Sequence, residues 1–399
     1  MNILIAVSDL HVGGAQTLVL SLANQLATRH QVHLYNYNLF RLRPQPLNPQ
    51  LADSVQLYSL PWWLVILPDK TYWLLEKLGI SRRRFTWVNR LRHWHLRSIL
   101  RRHSIDIVST HLFDADDFIS TTLAKSAIQF VVTDHGDYQY LQQRLSHRQT
   151  IQNILARASA VVYIAERNAT VLQQTAAASK LSKIYNGISP KTKNFDLKAH
   201  LALPSDAFVF GMVARGIPEK GWAEAIQGLE KVYHQAKQSP QCKKVHLILI
   251  GDSAYLKQLK QQVSPALQKV VHFVGYADRP LDWIQGFDVG LLPSYFAGES
   301  LPMAIAEYLS QKKPVIATDL GGIAEMLNDG EHIAGTLLSL SATGRVAPSE
   351  LAHAMQHYMQ SPQSVKQQAS SAAFIFQKKF NIQACAAAYE SLFEQVIAS

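Results

Sequence analysis

The sequence predicts an α/β protein built from two parallel-sheet domains, and three observations carry that expectation. The chain has 399 residues, enough for two sizeable cores, with 48% hydrophobic against 17% charged residues. Short apolar runs of strand length alternate with stretches of helical periodicity, the pattern of sheets covered by helices on both faces. Midway, the polar stretch Ser189–His200 interrupts the alternation and reads as a linker. The expected domains are 1–190 and 191–380, each Rossmann-like, with a last helix at about 381–399.

Bulk properties exclude several classes. Cys242 and Cys385 stand far apart, with neither a disulfide framework nor zinc-ligand spacing, so a reducing, cytoplasmic compartment is expected. The start, Met-Asn-Ile-Leu-Ile-Ala-Val, has no basic lead-in or cleavage site and does not read as a signal peptide. The most apolar window, Leu60–Leu67, is bounded by Pro61 and Pro68 and is too short to span a bilayer. A net charge of +10 suits nucleic acid, an anionic membrane face or an anionic substrate, and its distribution must decide.

In the first half, the strand Asn2–Val7 leads through Gly13-Gly14 into a helix marked by Leu18, Val19, Leu22, Ala23 and Leu26. Strand, glycine turn and helix make a phosphate cradle, although the spacing is not that of a dinucleotide site. Ser8-Asp9-Leu10-His11, with Gly251-Asp252, imitates a two-metal phosphoesterase. The Asn-His segment such a cluster needs is missing, so no metal is expected. Gln31–Tyr37 reads as the second strand, and the proline-rich stretch from Arg41 to Ile80, carrying Pro61–Leu67, as an irregular insertion. Ser81–His103 holds eight arginines and no acid, with Trp87, Leu91, Trp94 and Ser98 on one helical face and Arg90, Arg97 and Arg101 on another. Two readings stay open: an anionic membrane contact through Pro61–Leu67 and Ser81–His103, or a surface helix whose aromatic stripe packs on the core. Nucleic acid is not expected, because no recognition fold accompanies the charge.

Ile105–Thr110 is a strand ending at His111. Asp114-Ala115-Asp116-Asp117 reads as the N-cap of a helix at Phe118–Lys125. Phe130–Thr133 ends in Asp134-His135-Gly136-Asp137, which places His135 at a strand's carboxyl end, where α/β proteins bind ligands. Asp134, His135 and His111 are the candidates on this side.

In the second half, the strand Ala207–Ala214 runs into Arg215-Gly216-Ile217-Pro218-Glu219-Lys220-Gly221, two cations around a glycine turn, suited to a diphosphate. The strands Val245–Gly251, His272–Val274 and Phe287–Ser294 follow. From Phe296 to Gly322 the chain carries Glu299, Glu307, the strand Pro314–Thr318 and Gly321-Gly322. Pro302 suits the first turn of a helix from Met303, so amides of Ser300, Leu301 and Met303 would face an anion while Glu299 and Glu307 accept hydroxyl hydrogen bonds.

This stretch, Glu, seven residues, Glu, then Pro-Val-Ile-Ala-Thr and Gly-Gly, resembles the paired-glutamate motif of retaining glycosyltransferases of family 4, which have the GT-B fold. Gly13-Gly14-Ala15-Gln16 is similar to that family's first turn, with Gln16 for the usual glutamate, and Asn186-Gly187-Ile188 and Val274-Gly275-Tyr276 resemble further segments. The resemblance implies two domains facing each other across a cleft, the first binding the acceptor and carrying the last helix, the second binding a nucleotide-sugar donor. It implies that Gly14, Arg215, Lys220 and the amides at Ser300–Met303 hold the donor's diphosphate. Gly275 and Tyr276 would border the base, Glu307 the ribose, and Glu299 and His135 the sugar. The implied enzyme is a hexosyltransferase working without a metal or other cofactor, and the basic, Trp-rich segment adds the expectation of a glycan or lipid-linked acceptor of envelope or extracellular polysaccharide, met at the inner face of the membrane. A catalytically inactive nucleotide-sugar binder is the alternative.

Overall fold

The computed structural model describes residues 1–11, 13–37, 50–60, 86–235 and 244–399, and it divides the chain into two compact units, Met1–Gly187 with Cys385–Ser399, and Ile188–Ala384. Pro61–Leu67, Ser81–Phe85 and Cys242 lie outside the described residues.

The first unit is a seven-stranded parallel sheet in the order β3-β2-β1-β4-β5-β6-β7. Its strands are β1 (Asn2–Val7), β2 (Gln31–Asn36), β3 (Val55–Tyr58), β4 (Ile107–His111), β5 (Gln129–Asp134), β6 (Ala160–Tyr163) and β7 (Leu181–Lys183). The central strands β1, β4 and β5 are buried almost throughout, the polar Ser109, Thr110 and His111 of β4 included, because helices cover both faces. Leu4, Val108 and Val132 meet Leu96 and Ile99 of helix Thr86–Arg102, Ile119 of helix Phe113–Thr122 and Ile154 of helix Leu145–Arg157 in one core. The last helix, Ile382–Ala398, is tied to this sheet by Tyr389, whose hydroxyl lies 3.0 Å from Thr133 Oγ1, and by Glu390, which pairs with His30 at 2.9 Å.

The second unit is a six-stranded parallel sheet, β10-β9-β8-β11-β12-β13. Its strands are β8 (Phe208–Val213), β9 (Val245–Ile250), β10 (Val271–Gly275), β11 (Val289–Leu292), β12 (Val315–Thr318) and β13 (Gly335–Leu338). Trp222, Leu229 and Tyr358 fill its core. The expected pair of parallel, Rossmann-like sheets is borne out. In each sheet the strand order reverses once, between β1 and β4 and between β8 and β11, so a crevice opens at those carboxyl ends.

The structure corrects several expectations. β3 lies inside the stretch read as irregular, a four-residue edge strand with only Val55 buried and therefore little apolar signal. The Asp114–Asp117 run does not cap a helix. Helix Phe113–Thr122 begins earlier, Leu112 is its N-cap with φ +74°, and Asp116 is buried, accepting from Thr110 Oγ1 at 2.9 Å and Tyr138 Oη at 2.8 Å. The linker ends in a helical turn, Leu197–His200, capped by Asp196. On helix Thr86–Arg102 the buried face is Arg92, Leu96, Ile99 and Leu100. Trp94 is 65% exposed, so the aromatic stripe does not pack on the core at that position, and Arg90, Arg97 and Arg101 are exposed around it.

Candidate active site

In the second unit, the loops leaving β8 and β11 meet at the switch point. The β8 loop is held by its own backbone. Ile217 N donates to Arg215 O at 2.8 Å, and Trp222 Nε1 donates to the same carbonyl at 3.0 Å. Pro218–Lys220 forms one 3₁₀ turn and Gly221 ends it at φ +85°, where an added Cβ would lie 2.1 Å from Pro293 O. Only glycine accepts both the positive φ and that approach, which presses the β8 loop against the β11 loop. Tyr295 N then donates to Glu219 O at 2.8 Å.

This packing brings three expected site residues together. Lys220 Nζ lies 2.6 and 2.9 Å from the two carboxylate oxygens of Glu299, and Ser294 Oγ donates to Glu299 Oε2 at 2.7 Å. Both charged side chains are buried, at 8% and 5% exposure. Burial pushes the Lys220 ammonium below its ordinary pKa, and the Glu299 carboxylate opposes that shift. The Phe296 ring sits beneath two cations, 5.2 Å from the Arg215 guanidinium carbon and 5.0 Å from Lys220 Nζ. The sequence reading assigned Lys220 to a phosphate and Glu299 to a sugar; in the structure they hold each other.

Gly321 explains the paired glycines. At φ +64° its Cβ position lies 2.1 Å from Glu299 O, and the adjoining Gly322 N donates to Ser300 O at 2.7 Å. The glycine pair thus braces the loop that carries Glu299, Ser300 and Leu301. Pro302 is the N-cap of helix Met303–Ser310 and lies outside its first turn. Glu307, one and a quarter turns into that helix, is half-buried, and burial lifts its carboxyl to about 7. Gly275 ends β10 at φ +85° with open space at its Cβ position, and Tyr276 beside it is 56% exposed.

In the first unit, Gly14 opens helix Gly14–Leu26, with Gly13 as an extended N-cap and no side chain over the amides. Gln16 Nε2 donates to Asp9 Oδ1 at 3.3 Å, and His11 N donates to the same oxygen at 3.0 Å. Asp9 therefore organises its own turn, and among the described residues no three His, Cys, Asp or Glu side chains converge as metal ligands. At the ends of β4 and β5, His111 Nδ1 lies 3.1 Å from His135 Nε2. Burial lowers both, His135 to about 4, so both imidazoles are neutral at pH 7. Asp134 accepts from Gly136 N at 2.8 Å and Tyr138 N at 3.4 Å and shapes the turn after His135, its carboxyl raised by burial and by Asp137.

Ser294, Phe296 and Ser109 were not foreseen. Ser294 closes the run read as a strand and Phe296 opens the paired-glutamate stretch, but nothing in their spacing told the lining of a site from ordinary loop. Ser109, two residues before His111, is one alternate position of a buried strand.

Two family models match the chain, Glycosyltransferase Family 4 over residues 12–192 and Glycosyl transferases group 1 over 207–361. A protein of Bacillus subtilis (strain 168) named as a teichuronic acid biosynthesis glycosyltransferase, TuaC, is 24% identical over 243 residues, 57% of each chain. The alignment therefore spans little more than half of that relative's length. A 2-deoxystreptamine glucosyltransferase of Streptomyces kanamyceticus is 25% identical over 66% of this chain and 71% of its own. Among solved structures, HepE of Anabaena in complex with UDP superposes with a TM-score of 0.73 at 20% identity, covering 99% of this chain and 100% of that one. Sucrose-phosphate synthase of Thermosynechococcus elongatus also reaches 0.73 at 20% identity, covering 100% of both chains.

Proposed function

The chain belongs to the glycosyltransferases of group 1 and family 4, and from that premise we propose that it moves a hexose from a nucleotide-sugar donor to a glycan or lipid-linked acceptor with retention of anomeric configuration. The observation that carries the proposal is the Arg215, Lys220, Glu299 and Phe296 constellation at the switch point of the second sheet.

In the reaction, the bond between the anomeric carbon and the diphosphate oxygen breaks, and the acceptor oxygen bonds to that carbon on the same face. The acceptor's proton passes to the departing phosphate oxygen. Charge growing on the leaving group is met by Arg215 and Lys220 and by the N–H groups of Gly14, Ser300, Leu301 and Met303, with no metal required. Glu299 takes the sugar hydroxyls once Lys220 turns to phosphate. Glu307, near half-ionised at neutral pH, binds the ribose, and Gly275 and Tyr276 border the base. His135 donates to the sugar or its phosphate. A uridine donor is the first to try, because HepE was solved with UDP-glucose. An acceptor in envelope polysaccharide is supported by the name of the Bacillus relative. The exposed Trp94 and its surrounding arginines support a contact with the anionic inner face of a membrane. Among the described residues no helix is long and apolar enough to cross one.

Incubation with several nucleotide sugars, with and without chelator, tests this. Turnover of one donor, indifferent to chelator, is expected. Tight nucleoside diphosphate binding without turnover would instead identify an inactive binder, and metal-dependent phosphoester cleavage a phosphoesterase.

A further inference from the structure

In the first unit the two imidazoles belong to a longer chain of contacts. Ser109 and His111 are two apart on β4, so their side chains project to the same face of the sheet. Ser109 Oγ lies 3.2 Å from His111 Nε2, and His111 Nδ1 lies 3.1 Å from His135 Nε2. Ser109 and His111 are fully buried, and Ser109 Oγ has no other partner. At the far end, His135 Nδ1 is shielded from water and has no partner, although the His135 side chain as a whole is half-buried.

Hydrogen counting decides between the two ways of filling this chain. Each neutral imidazole carries one N–H, and one hydrogen occupies each contact. If His135 Nε2 donated to His111, His111 Nε2 would have to donate to Ser109. The buried hydroxyl would then accept only, so its own proton and the lone pair of His135 Nδ1 would both go unpaired, against the single unpaired Nδ1–H of the alternative, a difference of about 1–3 kcal/mol. In the opposite arrangement Ser109 donates to His111 Nε2, His111 Nδ1–H donates to His135 Nε2, and every group between the ends is satisfied. His135 then carries its hydrogen on Nδ1, the one atom of the chain still unpartnered.

We infer that Ser109, acting through His111, is a positioning residue that fixes His135 as a neutral Nδ1–H donor for an oxygen of the bound substrate. The inference rests on the reading of His135 as a substrate contact, but the hydrogen arrangement can be measured without turnover. A neutral donor held this way offers a hydrogen bond that strengthens as negative charge develops on a sugar or phosphate oxygen, and it cannot remove a proton from the acceptor.

The test is nitrogen-detected NMR of the full chain with labelled histidines, which reports which ring nitrogen carries hydrogen. The wild type should show His111 and His135 both protonated on Nδ1. In Ser109→Ala, His135 should shift to Nε2–H or to a mixture, and Ser109→Thr should restore the wild-type pattern. With an active donor, Ser109→Ala should lower kcat by roughly three- to tenfold, the worth of one hydrogen bond, with donor KM little changed. Nε2–H on His135 in the wild type, or an unchanged pattern in a folded Ser109→Ala protein, overturns the inference. A correct pattern with no turnover on any donor leaves the inference standing and counts against the enzymatic reading alone.

Discussion

Replacing Glu299 by glutamine keeps the shape of the side chain and removes its charge, which isolates the ion pair. Lys220 Nζ then faces an amide in a site where its own side chain is 8% exposed. Removing one partner of a buried pair costs about 3–5 kcal/mol, because the other charge is stranded. Burial already drives the Lys220 pKa down against the opposing pull of Glu299, so losing that carboxylate lowers it further and holds the loss near the lower end. With a urea slope of about 3 kcal/mol/M, a loss of about 3 kcal/mol moves the midpoint of the second unit by about 1 M. Lys220→Met should cost a similar amount, since the buried carboxylate then loses its counter-charge. The double variant should lose less than the sum of the two, with a coupling of about 2 kcal/mol or more. Urea unfolding of the ligand-free protein, followed by circular dichroism and tryptophan fluorescence, reads all four corners of the cycle. Single variants within about 0.5 kcal/mol of wild type, or strictly additive losses, would refute a closed pair.

Glu307 sets a pH dependence. Its folded pKa, about 7, lies above its ordinary 4.5, so its contribution to stability is complete below that ordinary value and is lost as pH rises through 7. Relative to Glu307→Gln, the wild type should lose stability between about pH 4.5 and 7 and change little above that. UDP affinity should move the other way, rising up to about ninefold from pH 6 to 8 as the carboxylate fraction climbs from about a tenth to nine-tenths, and calorimetric titrations of both proteins check this. Gly321→Ala should cost about 3 kcal/mol through its φ of +64° and the clash with Glu299 O, and should raise donor KM sharply, as thermal unfolding and kinetics would show. Trp94→Ser with Arg90→Ser and Arg97→Ser should abolish sedimentation with anionic vesicles and leave stability within about 0.5 kcal/mol, because these side chains are exposed. Wild-type protein that stays in the supernatant would remove the membrane contact.

Legibility in the sequence followed the size of the local signal. The central strands announced themselves because burial on both faces favours largely apolar runs, as in Asn2–Val7 and, His246 apart, Val245–Ile250. The edge strands β3, β7 and β13 did not, since each is three or four residues long and at least half of each strand lies outside the buried core. Arg215, Lys220 and Glu299 were readable as a set through the family resemblance, since a glycine turn after a strand is by itself also an ordinary connection. Their pairing was not, because the contact between Lys220 and Glu299 spans 79 residues and depends on the strand order. Asp116 misled for a related reason. A carboxylate ahead of an expected helix looks like a cap, and only Tyr138 and Thr110, brought in by the fold, reveal an interior residue.

In the closed Lys220–Glu299 contact each of these two charges is already matched by the other. Inorganic phosphate arriving alone could claim the ammonium only by separating it from the carboxylate, and a free monosaccharide could claim the carboxylate only by separating it from the ammonium. A molecule bearing an oxyanion and hydroxyls on one rigid frame replaces both partners in a single event. On the proposed reading, such a latch makes abundant cellular anions poor competitors. It opens for a ligand that carries both halves of the key.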